Sequence, residues 1–131
     1  MTEEPVLRES PALGDDELNE LFASAWPSHE PREFQPVLAR SLLTIAAYSG
    51  TRLVGFVNVA WDGGAHGFIL DTTVHREFQR RGLGLRLLRA AERGARARGL
   101  EWLHVDFAPD LEPFYRAAGY LGTAAGLQRL R

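Results

Sequence analysis

The spacing of apolar residues changes period several times along the chain, and each change marks an element. Leu18, Leu21, Phe22 and Ala25 recur every three or four positions, which predicts a helix opened by Asp15 as capping residue and closed at Trp26-Pro27. Before it, VLRES (6–10) reads as a short first strand. After it, SHEPREF is a loop, and a second helix is expected from about Glu33 to Ser41. LLTIAAY (42–48), RLVGFVNVAW (52–61) and GFILDTTV (67–74) are rich in β-branched and aromatic residues and predict three strands. Ser49-Gly50 turns the chain between the first two, and DGGAHG joins the last two as an antiparallel hairpin. The helical period returns from about Leu83 to Arg98, with Gly84, Leu87, Leu88, Ala91 and Ala95 on one side and Arg86, Arg89, Arg93 and Arg96 on the other. Gly99 stops it. EWLHVDF (101–107) is the next strand, LEPFYRAAG (111–119) a short helix ended by Gly119, and LGTAAGLQRL a last strand broken at Gly126.

Strand 67–74, helix 83–98 and strand 101–107 make a βαβ unit, so these two strands should run parallel with a right-handed crossover. The sum is an α/β domain with a mixed, largely antiparallel sheet. At 131 residues the chain is expected to form one domain, 1–131, large enough to bury roughly two thirds of its unfolded surface. The apolar runs are too short to cross a bilayer and MTEEPVLRES is acidic, so a soluble, cytoplasmic protein without a membrane partner is expected. Cysteine is absent, which excludes a disulfide framework, a cysteine zinc site and a catalytic thiol. Four histidines without a two-histidine helical spacing suggest no metal site either.

Net charge is −2, unevenly spread. Residues 1–33 hold Glu3, Glu4, Glu9, Asp15, Asp16, Glu17, Glu20, Glu30 and Glu33 against Arg8 and Arg32. Residues 76–98 carry eight arginines against Glu77 and Glu92. The positive stretch contains the turn QRRGLG (79–84), which enters the long helix. A loop that opens a helix presents unpaired backbone N–H groups and the positive end of the helix dipole, and both suit phosphate oxygens. Gly82 and Gly84 remove side chains that would keep an anion away, while Arg80 and Arg81 add charge. The turn is no Walker loop, because the chain has no lysine, and no dinucleotide fingerprint, because Arg86-Leu87 follows Gly84-Leu85. A nucleic-acid reading of the arginine stripe runs against an acidic chain, and no nucleic-acid partner is expected.

QRRGLG, made of Gln79, Arg80, Arg81, Gly82, Leu83 and Gly84, resembles the Q/R-x-x-G-x-G/A signature of the GNAT superfamily of acyl-CoA-dependent N-acyltransferases. FYRAAGY (114–120) is similar to that family's FYxxxGF segment, and the resemblance covers about residues 43–122. It implies a GNAT-like fold, in which a central parallel pair of strands splays within a mostly antiparallel sheet flanked by helices. It implies an acetyl-CoA-binding core at about 42–122 and acceptor-side helices at about 11–41. The cofactor is then acetyl-CoA as co-substrate, without a metal. The backbone from Arg81 to Leu85 would receive its pyrophosphate, with Gln79 and Arg80 beside it, and Thr73 and Val74 would pair with the pantetheine arm.

Moving an acetyl group from a thioester to an amine needs a neutral amine, a stabilised oxyanion and a proton for the departing thiolate. The resemblance assigns that proton to Tyr115. The base is open among Asp71, His104, Asp106 and water, with Asp71 placed on the strand before the signature where several relatives carry a carboxylate. The family's asparagine before the FY segment falls here at Ala108, and the end of the chain is short for a full last hairpin. That leaves the acceptor side open or completed by a second subunit, as in a homodimer. Trp26, His29 and Phe34 are expected to wall the acceptor site, and the acidic first third favours a cationic small-molecule or peptide amine. A non-catalytic acyl-CoA-binding sensor on the same fold is the alternative.

Overall fold

The computed structural model describes residues 4–131. In chain order the elements are β1 (Val6–Glu9), α1 (Asp15–Ala25), α2 (Gln35–Leu38), β2 (Leu43–Ser49), β3 (Arg52–Trp61), β4 (His66–Val74), α3 (Leu83–Ala97), β5 (Trp102–Val105) and α4 (Glu112–Ala117). Single 3-10 turns at Arg76–Phe78 and Pro109–Leu111 lead into α3 and α4. The strands form one sheet in the order β1-β2-β3-β4-β5, antiparallel except for the parallel β4–β5 pair.

Alternation along the strands divides the core between the two faces of the sheet. Leu43, Ile45, Ala47, Val57, Val59 and Ile69 pack with Leu83, Leu87, Leu88 and Ala91 of α3. Ala46, Leu53 and Phe56 pack with Leu18, Leu21 and Phe22 of α1 and with Phe34. The expected arginine side of α3 divides: Arg93 and Arg96 are exposed, whereas Arg86 reaches Glu4 and the Pro5 carbonyl, and Arg89 reaches Glu92 and the Ala118 carbonyl.

Gly67 marks where packing is tightest. A Cβ there would stand 2.3 Å from Leu100 Cδ2, 3.0 Å from Leu103 Cδ2 and 3.3 Å from Val59 Cγ1. Gly67→Ala is therefore expected to destabilise by about 1–3 kcal/mol, the usual cost of overpacking, read as a lower urea midpoint at unchanged slope.

Four sequence expectations change. The helix cap is Gly14, whose N–H is held by Glu17 Oε2 at 3.0 Å. Asp15 instead accepts from Phe34 N and Gln35 Nε2, both at 3.0 Å, and so ties α1 to the start of α2. α2 is four residues rather than nine, because after it the chain tightens into i→i+3 bonds, Arg40 N to the Val37 carbonyl and Ser41 N to the Leu38 carbonyl. β5 stops at Val105, where it parts from β4. No strand forms in 121–131: Gly122, Ala124, Ala125 and Gly126 have weak strand preference, and the segment has no neighbouring strand to reward it. The parallel pair consequently lies at one side of the sheet, with β5 as an edge.

Candidate active site

After β4 the chain passes His75 and a 3-10 turn, and then takes two left-handed residues, Arg80 at φ +62° and Gly82 at φ +80°. Gly82 is the N-cap of α3, a conformation glycine adopts without strain. Gln79 Nε2 donates to the Val74 carbonyl at 3.0 Å, so this side chain fastens the loop to β4. The Arg81 guanidinium lies over the Phe78 ring, 5.3 Å from its centroid. The first internal bond of α3 runs from Arg86 N to the Gly82 carbonyl. Among the described residues, the backbone N–H groups of Gly82, Leu83, Gly84 and Leu85 have no protein acceptor. They sit at the positive end of a helix of 15 residues. A Cβ on Gly82 would meet nothing within 4 Å, and one on Gly84 only Phe114 Cζ and Val74 Cγ2, both at 3.9 Å. The donors therefore open outward at the place where β4, α3 and α4 converge.

A slot leads inward from that point. β4 and β5 are paired from His66↔Trp102 to Ile69↔Val105, after which β4 runs on to Val74 without that neighbour. α4 closes the widening gap with Tyr115, which is 6% exposed. Its ring stacks on Phe107 at 4.8 Å and meets Phe114 and Tyr120 edge-on at 5.0 and 5.9 Å. Burial holds the Tyr115 phenol above its ordinary pKa, with the nearby Thr72 hydroxyl pulling weakly the other way. Thr72 Oγ1 is itself buried without a hydrogen bond of normal geometry. Behind Tyr115, the Tyr120 hydroxyl donates to Glu92 Oε2 at 2.9 Å, and Glu92 is also bound by Arg89. Burial and the Glu92 carboxylate push the Tyr120 phenol far up as well.

On the far side of the slot β4 carries a bulge. Asn58 pairs with Leu70 and Phe56 with Thr73, so Val57 alone faces Asp71 and Thr72, and Asp71 takes φ +57°. Thr73 fixes this kink. Its hydroxyl donates to the Asp71 carbonyl at 3.0 Å and accepts from Trp26 Nε1 at 3.2 Å. The bulge presents Asp71 beside Arg32, 3.7 Å away in the loop that follows α1. Arg32 in turn lies over the Phe34 and Phe22 rings, at 4.5 and 5.4 Å.

The expected site residues thus divide. Tyr115, Val74, Gly82, Leu83, Gly84 and Leu85 come together at the slot, with Gln79, Arg80 and Arg81 forming its loop. Trp26 and Asp71 meet through Thr73, whose hydroxyl is engaged inside the protein. The aromatic wall is reduced to Trp26: Phe34 is 2% exposed in the core beneath Arg32, and half-buried His29 bonds Asn19 Oδ1 at 2.8 Å. His104 bonds His66 at 2.7 Å and stacks on Phe68 at 4.8 Å. Arg32, Thr72, Glu92 and Tyr120 had no expected place at the site, since nothing local distinguishes an arginine or threonine that a distant bulge will recruit. Among the described residues, no group of three or more metal-ligating side chains is assembled and no helix is long and apolar enough to cross a membrane.

The sequence pattern of the Acetyltransferase (GNAT) family matches residues 15–120. The chain belongs to this family. Acetyl transfer with acetyl-CoA as donor is the family's chemistry. The GNAT chain is 28% identical over 117 residues to the uncharacterized N-acetyltransferase ycf52 of Porphyra purpurea, covering 86% of this chain and 67% of that protein. Its fold matches the GNAT family acetyltransferase SP0256 of Streptococcus pneumoniae TIGR4 with a TM-score of 0.79 at 18% identity, over 97% of this chain and 99% of that one. It also matches AAC(6')-Iy, solved with the bisubstrate analog CoA-S-monomethyl-acetylneamine, with a TM-score of 0.77 at 16% identity, over 98% and 99% of the two chains.

The donors fit CoA on physical grounds. Free N–H groups, a helix dipole and open space at Gly82 suit the pyrophosphate, and the edge of β4 that β5 leaves without a neighbour beyond Ile69 suits the amides of the arm, although the Val74 carbonyl is held by Gln79. His75 is buried at the start of this loop. Its Nε2 lies 2.8 Å from Arg52 Nη2, and Nδ1 accepts from Glu77 N at 3.1 Å. A protonated ring would turn an N–H toward each donor. Burial, then the Arg52 charge, accordingly lower its pKa. The unfolded chain takes up the proton near pH 6.5, so the stability His75 contributes is full above that value and is lost as pH falls through the lower folded value. The melting temperature is expected to fall between neutral pH and pH ~5, and to fall less steeply in His75→Gln.

Proposed function

We propose that this GNAT chain is an N-acetyltransferase that moves the acetyl group of acetyl-CoA to a primary amine of a small molecule or peptide, by direct transfer in a ternary complex. One observation carries the reading: unengaged helix N-terminal donors at one end of a slot whose other end holds the buried Tyr115 phenol. Acetyl-CoA supplies an activated acetyl group, and the chain's own residues supply position and protons. Gly82, Leu83, Gly84 and Leu85 hold the pyrophosphate through backbone N–H, while the β4 edge at Val74 orients the arm. Asp71, turned out by the bulge, takes the ammonium proton of the acceptor directly or through water. Tyr115 gives its phenolic proton to the departing sulfur. The nitrogen–carbonyl bond forms as the carbon–sulfur bond breaks, and the second proton shed by the nitrogen restores the phenol, which leaves one amide, one thiol and the proton taken at Asp71. The acceptor-side part spans about 11–41, and the donor-binding core about 42–122.

Acidic residues of the first third support a cationic acceptor, and AAC(6')-Iy, a neighbour in fold, is an aminoglycoside N-acetyltransferase. The deciding experiment follows thiol release from acetyl-CoA with spermidine, kanamycin and a panel of peptides differing at the N-terminus. Amine-dependent release with formation of the amide is expected for at least one cationic class, and Asp71→Asn should lower it most at neutral pH. Tight CoA binding with no amide from any of these amines would favour the sensor reading over the enzyme.

A further inference from the structure

We propose that Thr72 is a positioning residue for the leaving-group proton: its hydroxyl, buried in the slot, turns toward the Tyr115 oxygen and holds the phenolate that forms when the phenol protonates sulfur. The inference rests on the reaction proposed above and adds a residue to its acid end.

The bulge in β4 creates the arrangement. Asp71, Thr72 and Thr73 follow one another in the chain, yet each meets a different part of the fold. Asp71 lies beside Arg32. Thr73, paired with Phe56, faces α1 and accepts from Trp26 Nε1. Thr72, between them, faces the other way, toward α4 and Tyr115. The proposed base and the support of the proposed acid are thus neighbours in sequence, set apart by one irregularity of the β3–β4 register.

Thr72 Oγ1 is buried and bonds nothing with normal geometry. Such an atom lowers stability, because water has been removed and no partner replaces it. Thr73 shows the contrast, since its hydroxyl both donates to the Asp71 carbonyl and accepts from Trp26. The Tyr115 phenol is the group that the Thr72 hydroxyl reaches, and this hydroxyl favours the ionised form of that phenol. Around the same ring, Phe107 and Phe114 offer no donor, and Tyr120 gives its proton to Glu92, which Arg89 also holds. Thr72 is therefore the hydroxyl left to serve Tyr115. While the phenol keeps its proton, loose contact is enough. Once that proton passes to sulfur, the phenol oxygen carries a full charge, and a hydrogen bond to a charged oxygen is shorter and stronger than one between neutral groups. Thr72 gives no proton away. It donates a hydrogen bond until the second proton shed by the nitrogen restores the phenol.

The test uses full-length Thr72→Val and Thr72→Ser, each alone and combined with Tyr115→Phe. Valine keeps the branched shape and removes the orphaned hydroxyl, so Thr72→Val should melt no lower than the wild type. The Tyr115 phenol is titrated in the free protein by the carbon-13 signal of labelled tyrosine Cζ, assigned through its loss in Tyr115→Phe. Thr72→Val is expected to move this titration up by about one pH unit, a tenfold change, and Thr72→Ser to leave it in place. The titration needs neither donor nor amine, so it reads the pair even where the proposed transfer fails. With an accepted amine, Thr72→Val should lower kcat about tenfold at unchanged CoA affinity, the scale of one hydrogen bond. It should have no further effect in Tyr115→Phe. A Tyr115 titration unmoved by Thr72→Val overturns the proposal. A loss of kcat that adds in full to that of Tyr115→Phe overturns it too, by placing the action of the hydroxyl elsewhere in the slot, and so does weakened CoA binding at normal kcat.

Discussion

Gly84→Glu is expected to abolish measurable CoA binding while leaving the fold intact. The position tolerates a Cβ, with its nearest neighbours at ordinary contact distance. A carboxylate in the first turn of α3 also complements the helix dipole, by about 0.3–1 kcal/mol at an exposed site. The same carboxylate stands where the proposed function puts the pyrophosphate, and offers its own oxygens to the N–H groups of Gly82 to Leu85. Losing several charge-assisted bonds worth about 1.5–3 kcal/mol each and adding like-charge repulsion should weaken CoA by at least roughly a hundredfold. Calorimetric titration with CoA reads this directly, and thermal shift should lose the ligand-dependent rise in melting point. Gly84→Ala serves as the steric control and should bind nearly normally. Unchanged affinity in Gly84→Glu would remove the loop from the donor site.

Tyr115→Phe is expected to lower turnover by roughly a hundredfold, the usual scale of a general acid, with little change in CoA affinity. The stacking with Phe107 and the edge contact with Tyr120 involve the ring and survive the change. Only the proton donor is lost. Because burial raises the phenol pKa, the wild type should keep its acid limb beyond the ordinary phenol value near 10. The same shift acts on stability. The folded chain holds the Tyr115 and Tyr120 protons to higher pH than the unfolded chain does. That contribution is complete below about pH 10 and is lost as pH rises through the folded values. Urea unfolding from pH 8 to 11 should show the decline, and Tyr115→Phe should show less of it. Equal kcat in wild type and Tyr115→Phe would assign the leaving-group proton to another source.

Most elements and the geometry of the turn into α3 were legible because their signals are local. Helical period with a breaking glycine delimits α3, strand-forming runs between turn residues delimit β2 to β4, and a Gly-x-Gly turn into a helix exposes N–H groups whatever surrounds it. The chemistry of the far wall was not legible in this way. Phe34 looked like a surface aromatic, yet it is buried because Arg32 and Phe22 close over it. Asp15 looked like a cap, yet its carboxylate is spent on α2, residues away in sequence. Asp71 alternated correctly as a strand residue, but a bulge set by the β3–β4 register turns it to φ +57° beside Arg32. LGTAAGLQRL read as a strand and found no neighbour in its own sheet. Period and turn chemistry determined which segments become helices and strands, since those preferences are short-range. Which polar group meets which, and where an edge is left without a partner, was decided by tertiary packing, because those contacts join residues that have no means of signalling one another along the chain.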